Sequence, residues 1–460
     1  MNVRTALTTL AALALLGTAT ARADFNAALR EYQAGHYDVA RTQFAATAEL
    51  GDCSSQFNLG AMALHGQGGP KDVGTGAGWL QAAVANGCER LVGSQLDALQ
   101  ARLTDDERRT AAGIVARYGR EALHSQGIID PELTCRDEVP AAVLQAVEPE
   151  YPRLDRSQRR NGIVIGELTI GVDGLARDPE ILLSEPQAAF AAAAIEAWLN
   201  TRFTPATRGG TPVASRTQAR LLFVIGAAEP LWSSGAYRDA RHAADAGDPA
   251  AEYLVGLTAT VDPSFGVAPA RGWQLLIWAA RDGYPRAQYW FATQLGAVSG
   301  CHPQVSGAAW LKHAADGGEA SAQLALAREL LRGGPSVAQV ARARSLLERA
   351  SGSDDYYVRK HVVALLAASP LAGVRDPATA QQVAARLAAG EIQSDPQMFE
   401  ALGAAFAANG DLRAAIAQQQ IAIGKARDLT WDIRAMQERL AAYRAGKPWQ
   451  GELFAMTPAR

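Results

Sequence analysis

The residues best suited to catalysis in this 460-residue chain are few and scattered. Cys301 and His302 are adjacent, a pairing that could supply a thiolate nucleophile with a base, or two ligands for a metal ion. No second Cys/His pair stands at ligand spacing, so a cysteine in a loop is the simpler interpretation. We therefore expect no metal site and no cofactor.

The other ionisable residues do not complete an active site. The seven histidines are dispersed along the chain, at His36, His65, His124, His242, His302, His313 and His361. Asp105-Asp106 and Asp354-Asp355 stand near expected helix starts, where the helix dipole stabilises carboxylates. The sequence lacks the phosphate-binding loop, the dinucleotide fingerprint and the short motifs of zinc proteases and serine hydrolases. These observations predict a protein that is not an enzyme.

Residues 1–23 have the composition of a secretory signal peptide. Arg4 precedes an apolar run over residues 6–16, and Ala21-Arg22-Ala23 fits a small-x-small cleavage site. The mature chain would start at Asp24 and be periplasmic; an uncleaved membrane anchor is the alternative. The net charge of −3 indicates neither nucleic-acid binding nor attraction to an anionic membrane. No small-molecule substrate is evident.

Two parts of the chain carry a helical repeat. Residues 76–87 and 307–318 align without a gap, and each block ends in glycine. Equivalent glycines, which we expect to cap the second helix of each pair, are Gly51, Gly87, Gly247, Gly283 and Gly318. Five positions later stands a glutamine in three repeats, at Gln56, Gln288 and Gln323, whereas the other two have Val92 and Glu252.

This period resembles Sel-one-like repeats, which are relatives of tetratricopeptide repeats. The resemblance implies helix pairs that stack into a curved solenoid, whose concave surface binds partner proteins. Residues from Pro396 resemble one tetratricopeptide unit, and residues 431–444 are predicted to form a final capping helix. The tryptophans of the second helices could form a peptide-binding stripe, but core packing is favoured for Trp79, Trp278 and Trp310.

The segment from Val139 to Gly226 departs from the helical pattern. Its predicted order is strand, strand, helix, strand, over residues 162–172, 180–184, 190–199 and 215–224, with a turn at Asp173-Gly174. This order resembles the C-terminal domain of TonB-family proteins. The matching residues are Tyr151-Pro152, the run from Gly162, Asp173 and Gly174, Arg202-Phe203, Pro205-Ala206 and Pro212-Val213, although Thr201 replaces a frequent aromatic residue.

Together these features predict an α+β multidomain protein. An α-solenoid of Sel-one-like and tetratricopeptide-like helix pairs would flank a small TonB C-terminal-like ββαβ domain. The expected divisions are a signal peptide (1–23), N-terminal repeats (24–135), the TonB-like domain (136–228), Sel-one-like repeats (229–355), and tetratricopeptide-like helices with a capping helix (356–460).

The leading hypothesis is a non-catalytic periplasmic scaffold that binds cell-envelope proteins. In the TonB family, an extended peptide from an outer-membrane receptor adds as a strand to the sheet edge. The resemblance places that edge in the last strand, with candidate residues Val213, Ser215, Thr217, Gln218, Ala219 and Leu221. The solenoid could instead cover this edge. A second hypothesis is an energy-transducing component of outer-membrane transport, and a third is an enzyme that uses Cys301-His302.

The four cysteines would meet an oxidising compartment after export. Cys53 and Cys88 follow the equivalent glycines Gly51 and Gly87, so a disulfide between them is a candidate. Equivalent points on stacked helices could also lie beyond disulfide reach. The pairing of Cys135 with Cys301 is less strongly indicated.

The signal-peptide hypothesis predicts how the chain fractionates. We expect osmotic shock to release it from the cells with a mature N-terminus at Asp24, as N-terminal sequencing would detect. Retention in the membrane fraction would contradict this expectation and favour the energy-transducing hypothesis.

Overall fold

The computed structural model describes residues 25–93, 95–126, 128, 133–135, 138–157, 160–185, 188–225, 235–294, 301–303 and 307–454. The expected signal peptide lies outside these ranges. Within them, no helix is both long enough and apolar enough to cross a membrane.

The first array consists of helices, most of which pack on their neighbours in the chain. Two helix pairs are followed by shorter and less regular helices, in this order: α1 (Phe25–Gln33), α2 (Tyr37–Ala48), α3 (Cys53–His65), α4 (Val73–Ala85), α5 (Glu89–Val92), α6 (Gln95–Gln100), α7 (Asp105–Tyr118) and α8 (Arg120–Ser125). A capping box between Thr104 and Glu107 starts α7. A disulfide joins Cys53 to Cys88, whose Cα atoms are 5.6 Å apart.

The central segment contains the predicted strand, strand, helix, strand order with several short additions. Its elements are β1 (Leu133–Cys135), β2 (Glu138–Val139), β3 (Ala142–Gln145), α9 (Arg153–Ser157), β4 (Gly162–Ile170), β5 (Ala176–Glu185), α10 (Ala188–Asn200), β6 (Arg202–Thr204), β7 (Ala206–Arg208), β8 (Thr211–Val213) and β9 (Ser215–Phe223). The main sheet is antiparallel in the order β5-β4-β9. The short strands β2, β3, β6, β7 and β8 form separate small ladders that the sequence did not indicate.

The second array begins after the sheet and continues to the C-terminal part. It comprises α11 (Gly235–Asp245), α12 (Pro249–Val261), α13 (Pro269–Arg281), α14 (Pro285–Gln294), the short strand β10 (Cys301–Pro303), α15 (Ala308–Asp316), α16 (Ala320–Leu330), α17 (Val337–Ala350), α18 (Tyr356–Ala368), α19 (Pro377–Ala388), α20 (Pro396–Ala408), α21 (Leu412–Asp428) and α22 (Arg434–Arg444). Asp248, Asp376 and Asp395 cap helices that begin with proline.

Two segments interpreted as loops pair with each other. β1 and β10 form an antiparallel ladder in which Cys135 lies directly opposite Cys301. Directly opposed residues of antiparallel strands have Cα atoms about 5 Å apart, which is the range that a disulfide requires. The interpretation of Cys301 as a loop cysteine was therefore wrong, because its backbone belongs to a strand. The strand partner is 166 positions away, so the local sequence gives no signal of this pairing.

The repeat glycines adopt the conformation that their spacing predicted. Gly51, Gly87, Gly247, Gly283 and Gly318 all have positive φ, from 83° to 107°. A second set of glycines lies where the helices of a pair cross. At the α12–α13 crossing, a Cβ on Gly256 would lie 2.8 Å from the Gly272 carbonyl oxygen. Only glycine allows this approach, which explains the recurrence of glycine within helices that otherwise favour alanine.

The repeat glutamines share one contact. Nε2 of Gln56, Gln288 and Gln323 donates to the carbonyl oxygens of Ala48, Ala280 and Ala315, at 2.9, 3.0 and 3.2 Å respectively. Each acceptor lies three positions before the repeat glycine, near the end of the preceding helix, where carbonyls lack partners within the helix. The glutamine therefore links consecutive helix pairs through a buried hydrogen bond.

Glu252 occupies the equivalent position after Gly247 and cannot make this contact as a carboxylate. Its side chain is buried, and Oε2 has no hydrogen-bond partner among the described residues. Burial, reinforced by Asp282, raises the pKa of Glu252 to about 8. The departure from glutamine thus leaves a buried carboxyl oxygen without a hydrogen-bond partner among the described residues.

The sheet shares hydrophobic cores with both helical arrays. Ile163 and Ile165 of β4 share a hydrophobic core with Leu50 and Leu123 of the first array and with Leu276 of the second. The other face of β4 packs on α10, which in turn contacts residues of α21 and α22. Helices of both arrays therefore help to cover the apolar residues of the two sheet faces.

The tryptophans differ in their environments. Trp310 is buried, as predicted, whereas 37% of the Trp278 surface is exposed. Trp278 lies on the outward side of α13, where the Arg271 guanidinium is 4.5 Å from its ring centroid. The prediction of core packing was wrong for Trp278.

The environment of Glu252 predicts how one substitution changes stability with pH. Between pH 4.5 and about pH 8 the folded chain retains a proton on Glu252 that the unfolded chain releases, so this residue costs more stability as the pH rises. We expect Glu252→Gln to increase the free energy of unfolding by on the order of 2 kcal/mol near pH 8, and by less near pH 5. Denaturant unfolding at both pH values measures the difference.

The matched control is the reverse change, Gln288→Glu, at the equivalent position of the next repeat. It should destabilise the protein more at pH 8 than at pH 5. Wild-type and Glu252→Gln stabilities that differ by the same amount at both pH values would contradict the explanation.

Candidate functional site

The predicted partner-binding strand is an edge strand in the structure. β9 pairs with β4 and has no second strand neighbour in the described sheet. Five of the six candidate residues lie in β9, but Val213 lies in β8 and pairs with Ala206 in a different ladder. The candidate edge is therefore the run from Ser215 to Leu221.

The side chains of β9 alternate between the two faces of the sheet. Thr217, Ala219 and Leu221 lie opposite Leu168, Gly166 and Val164, on the face that α10 covers. Gln218 lies opposite Glu167 on the face toward the second array, and its Nε2 atom is buried without a partner among the described residues. All the candidate side chains are half-buried, and Arg220 between them is exposed.

The opposite edge strand, β5, contains a bulge centred on Asp178. Glu180 pairs with Glu167 and Arg177 with Thr169, so β5 has one more residue than β4 between these pairs. Asp178 has φ of 51°, which is unusual for a residue other than glycine. Such strain persists only where the surroundings stabilise it, and here it is associated with contacts to the solenoid.

The Asp178 carboxylate contacts two consecutive residues of α18. Oδ1 lies 3.0 Å from Lys360 Nζ and 2.7 Å from His361 Nε2. Lys360 Nζ also lies 3.0 Å from Asp395 Oδ2 and donates to Gln397 Oε1 at 2.9 Å. Lys360 and Asp395 are completely buried. One ammonium group on α18 thus joins the sheet to the start of α20.

Arg216 of β9 makes a second set of buried contacts across the same sheet face. Its Nη2 lies 3.2 Å from Glu167 Oε2 and 2.8 Å from Glu180 Oε2. The hydroxyl of Tyr289 in α14 donates to the other oxygen of Glu180 at 2.8 Å. The guanidinium also lies 5.6 Å from the Tyr357 ring centroid. We call the combined set around Asp178, Lys360, Arg216 and Glu180 the junction cluster.

Burial and charge act differently on the members of the junction cluster. Burial lowers the pKa of His361 to about 4, so this imidazole is neutral at neutral pH. Burial alone would raise the pKa of Asp178, but its contacts with His361, Lys360 and Arg216 outweigh burial and hold that pKa well below its ordinary value. Burial raises the pKa of Glu180 to about 7, despite the opposing effect of Arg216. Asp178 with Lys360 therefore forms the ionised core of the cluster.

The junction cluster has the ionisable groups of an active site but the geometry of an interface. Asp178, Glu180, Lys360 and His361 contact one another or neighbouring side chains and do not line the groove that residues 181–185 of β5 form with the second array. No group of three or more potential metal ligands occurs among the described residues. The cluster therefore attaches the sheet to the solenoid.

The junction cluster was not apparent from the sequence because its members are distant in the chain. Asp178 and His361 are 183 positions apart, and each looks like an ordinary surface residue in its local sequence. The single local signal is Asp178-Pro179 inside a strand, because proline within a strand indicates a bulge or an edge.

The junction cluster predicts a large effect for one substitution. Lys360→Met removes the cation while leaving the buried Asp178 and Asp395 carboxylates, so we expect a loss of about 3 kcal/mol in the free energy of unfolding. Lys312→Met is the matched control, since Lys312 pairs with Asp316 at the surface and should contribute less than about 1 kcal/mol. Equal effects of the two substitutions in denaturant unfolding would contradict the assigned role.

Solved structures of helical-repeat proteins are similar to this chain. Two of them each have a TM-score of 0.31. One is a Sel-one repeat protein from Oxalobacter formigenes, at 17% identity over 46% of this chain and 86% of that chain. The other is a protective antigen present in uropathogenic Escherichia coli strains that displays an SLR fold, at 13% identity over 95% of this chain and 90% of that one.

No curated protein matches the chain significantly. A family model does match the segment that contains the β5-β4-β9 sheet. Residues 147–225 match the family described as Gram-negative bacterial TonB protein C-terminal, which confirms the resemblance of this segment.

Proposed function

We propose that the protein is a non-catalytic, periplasmic scaffold that binds an extended segment of an envelope protein along β9. The observation that carries the proposal is that β9 is an edge strand within the TonB-like segment. An edge strand has backbone N–H and C=O groups without strand partners, and an added peptide can pair with them. One example of such a peptide is the segment of an outer-membrane receptor that TonB-family proteins bind.

The exposed residues around β9 support this choice of edge. Thr211 and Pro212 precede the strand, Arg220 lies within it and Val224 follows it, and all are exposed. β5 differs, because side chains of α14 and α18 contact it around Asp178 and Ile181. The middle of β5, around Asp178, is therefore attached to the solenoid, whereas the backbone edge of β9 has no second strand neighbour in the described sheet.

The solenoid contributes rigidity in this proposal. The junction cluster and the shared hydrophobic cores hold the sheet against both helical arrays. A rigid edge strand loses little conformational entropy when it pairs with a peptide, which favours binding. We infer no catalytic step, since the ionisable groups of the junction cluster contact one another and attach the sheet to the solenoid.

Site-specific photo-crosslinking tests the proposal. A benzophenone amino acid would be placed singly at Ser215, Thr217 or Ala219, and the crosslinked envelope proteins would be mapped by mass spectrometry. Because side chains two positions apart lie on one face of a strand, the three positions should crosslink to one partner segment in steps of about two residues.

The matched control places the same amino acid at Val337 of α17, which is 88% exposed. This site should not capture the same segment. Crosslinks from β9 that show no order along a partner, or that also arise from Val337, would contradict strand addition at β9.

A further inference from the structure

A groove lies along the part of β5 that the junction cluster leaves open. Its volume is about 820 Å³, and residues 181–185 of β5 form one side of it. The opposite side is formed by α12, α14 and the start of α18, and the end of α19 closes it. A cavity of several hundred Å³ is large enough for a short peptide or a drug-sized ligand.

The edge of β5 in this groove can accept another strand. β5 has β4 as its one strand neighbour in the described sheet. Arg286 Nη2 of α14 donates to the Ile181 carbonyl oxygen at 3.1 Å, which shows that this carbonyl points away from β4. Leu183 and Ser184 are half-buried and Glu185 is exposed. The part of β5 that a chain in the groove can reach therefore runs from Leu183 to Glu185.

The walls of the groove combine apolar and polar surfaces. Small alanines leave room beside the rings of Tyr253 and Tyr284, whose centroids are 5.5 Å apart. The Tyr253 hydroxyl is buried and has no hydrogen-bond partner among the described residues. A buried hydroxyl without a partner is costly, and a polar backbone group of a bound chain that reached this hydroxyl would relieve the cost.

The charged residues at the rim of the groove indicate which charge a bound chain would carry. Of the described lining residues, the exposed charged ones are all acidic, namely Glu185, Asp354 and Glu391. The two lining arginines are less exposed and have protein partners, since Arg286 donates to Ile181 and Arg359 pairs with Asp354. Because Arg359 already pairs with Asp354, Glu185 and Glu391 are the rim carboxylates for which a basic side chain is the complementary group.

We propose that the groove is a second peptide-binding site, in which an extended segment of a partner protein with apolar residues and a flanking basic residue pairs with β5. The site goes beyond the β9 edge, since it lies on the opposite edge of the same sheet. Backbone pairing supplies affinity, the tyrosine wall accepts an apolar side chain, and the acidic rim selects the basic residue.

Labelled heptapeptides test this proposal by fluorescence anisotropy on the full mature chain. The first probe alternates valine with threonine and ends in arginine; the second ends in glutamate; the third has a central proline. We expect the arginine peptide to bind about tenfold more tightly than the glutamate peptide. The proline peptide should bind weakly, because proline removes a backbone donor and restricts the chain.

Two matched substitutions locate the binding. Ala250 is the second residue of α12, and Ala378 is the second residue of α19. Both are exposed, and each follows an Asp-Pro pair that starts its helix. Ala250 lines the groove and Ala378 does not. Ala250→Trp should therefore abolish binding of the arginine peptide, whereas Ala378→Trp should leave it unchanged. Glu185→Lys should remove the preference for arginine over glutamate.

The proposal is wrong if none of the peptides binds at millimolar concentration, if the arginine and glutamate peptides bind equally, or if Ala250→Trp binds like the wild type. Excess arginine peptide should leave the crosslinks from Thr217 of β9 unchanged. Loss of those crosslinks would show that the peptide occupies β9 and would overturn the second site, whereas the proposal for β9 would stand.

Discussion

The architecture depends on a buried ion pair between Asp178 and Lys360. Lys360 is completely buried and also contacts Asp395, so one cation balances two carboxylates from distant parts of the chain. Burying such charges costs several kcal/mol for each ion unless the geometry compensates. The compensation here requires a bulge in β5, positive φ at Asp178 and two consecutive side chains on α18. These requirements specify one position of the sheet on the solenoid.

This attachment determines which surfaces remain for partners. The face of the sheet that carries Glu167 and Arg216 lies against the second array, and α10 covers the other face. Since side chains of α14 and α18 contact the sheet, the strand edges and the groove beside β5 are the main candidates for recognition.

The repeats achieve the same packing with different residues, and the differences have physical consequences. Positive-φ glycines end the second helices, and glutamines satisfy a carbonyl at the same helix ends. Glu252 has about the size of glutamine, but its ionised side chain has no hydrogen-bond donor. One repeat therefore has a packing defect that depends on pH. Since a solenoid is stabilised by contacts between neighbouring repeats, such a defect affects the stability of the adjoining interfaces.

The amino-acid sequence by itself determined the features that arise from local or periodic signals. The positions of the repeat glycines, the Asp-Pro helix starts, the order of the main strands and α10, and the TonB-like character of residues 147–225 all belong to this group. Each depends on backbone preferences or on apolar spacing within one segment, which a single sequence displays directly.

Only the tertiary structure decided how these segments meet. The pairing of β1 with β10, the contacts of Asp178 with α18 and the groove beside β5 join residues separated by more than a hundred positions. The exposure of Trp278 and the placement of Val213 outside β9 were likewise decided by packing. Contacts of this kind depend on the angles at which helix pairs stack, and small changes in those angles accumulate along a solenoid. Local spacing carries no record of that accumulated geometry.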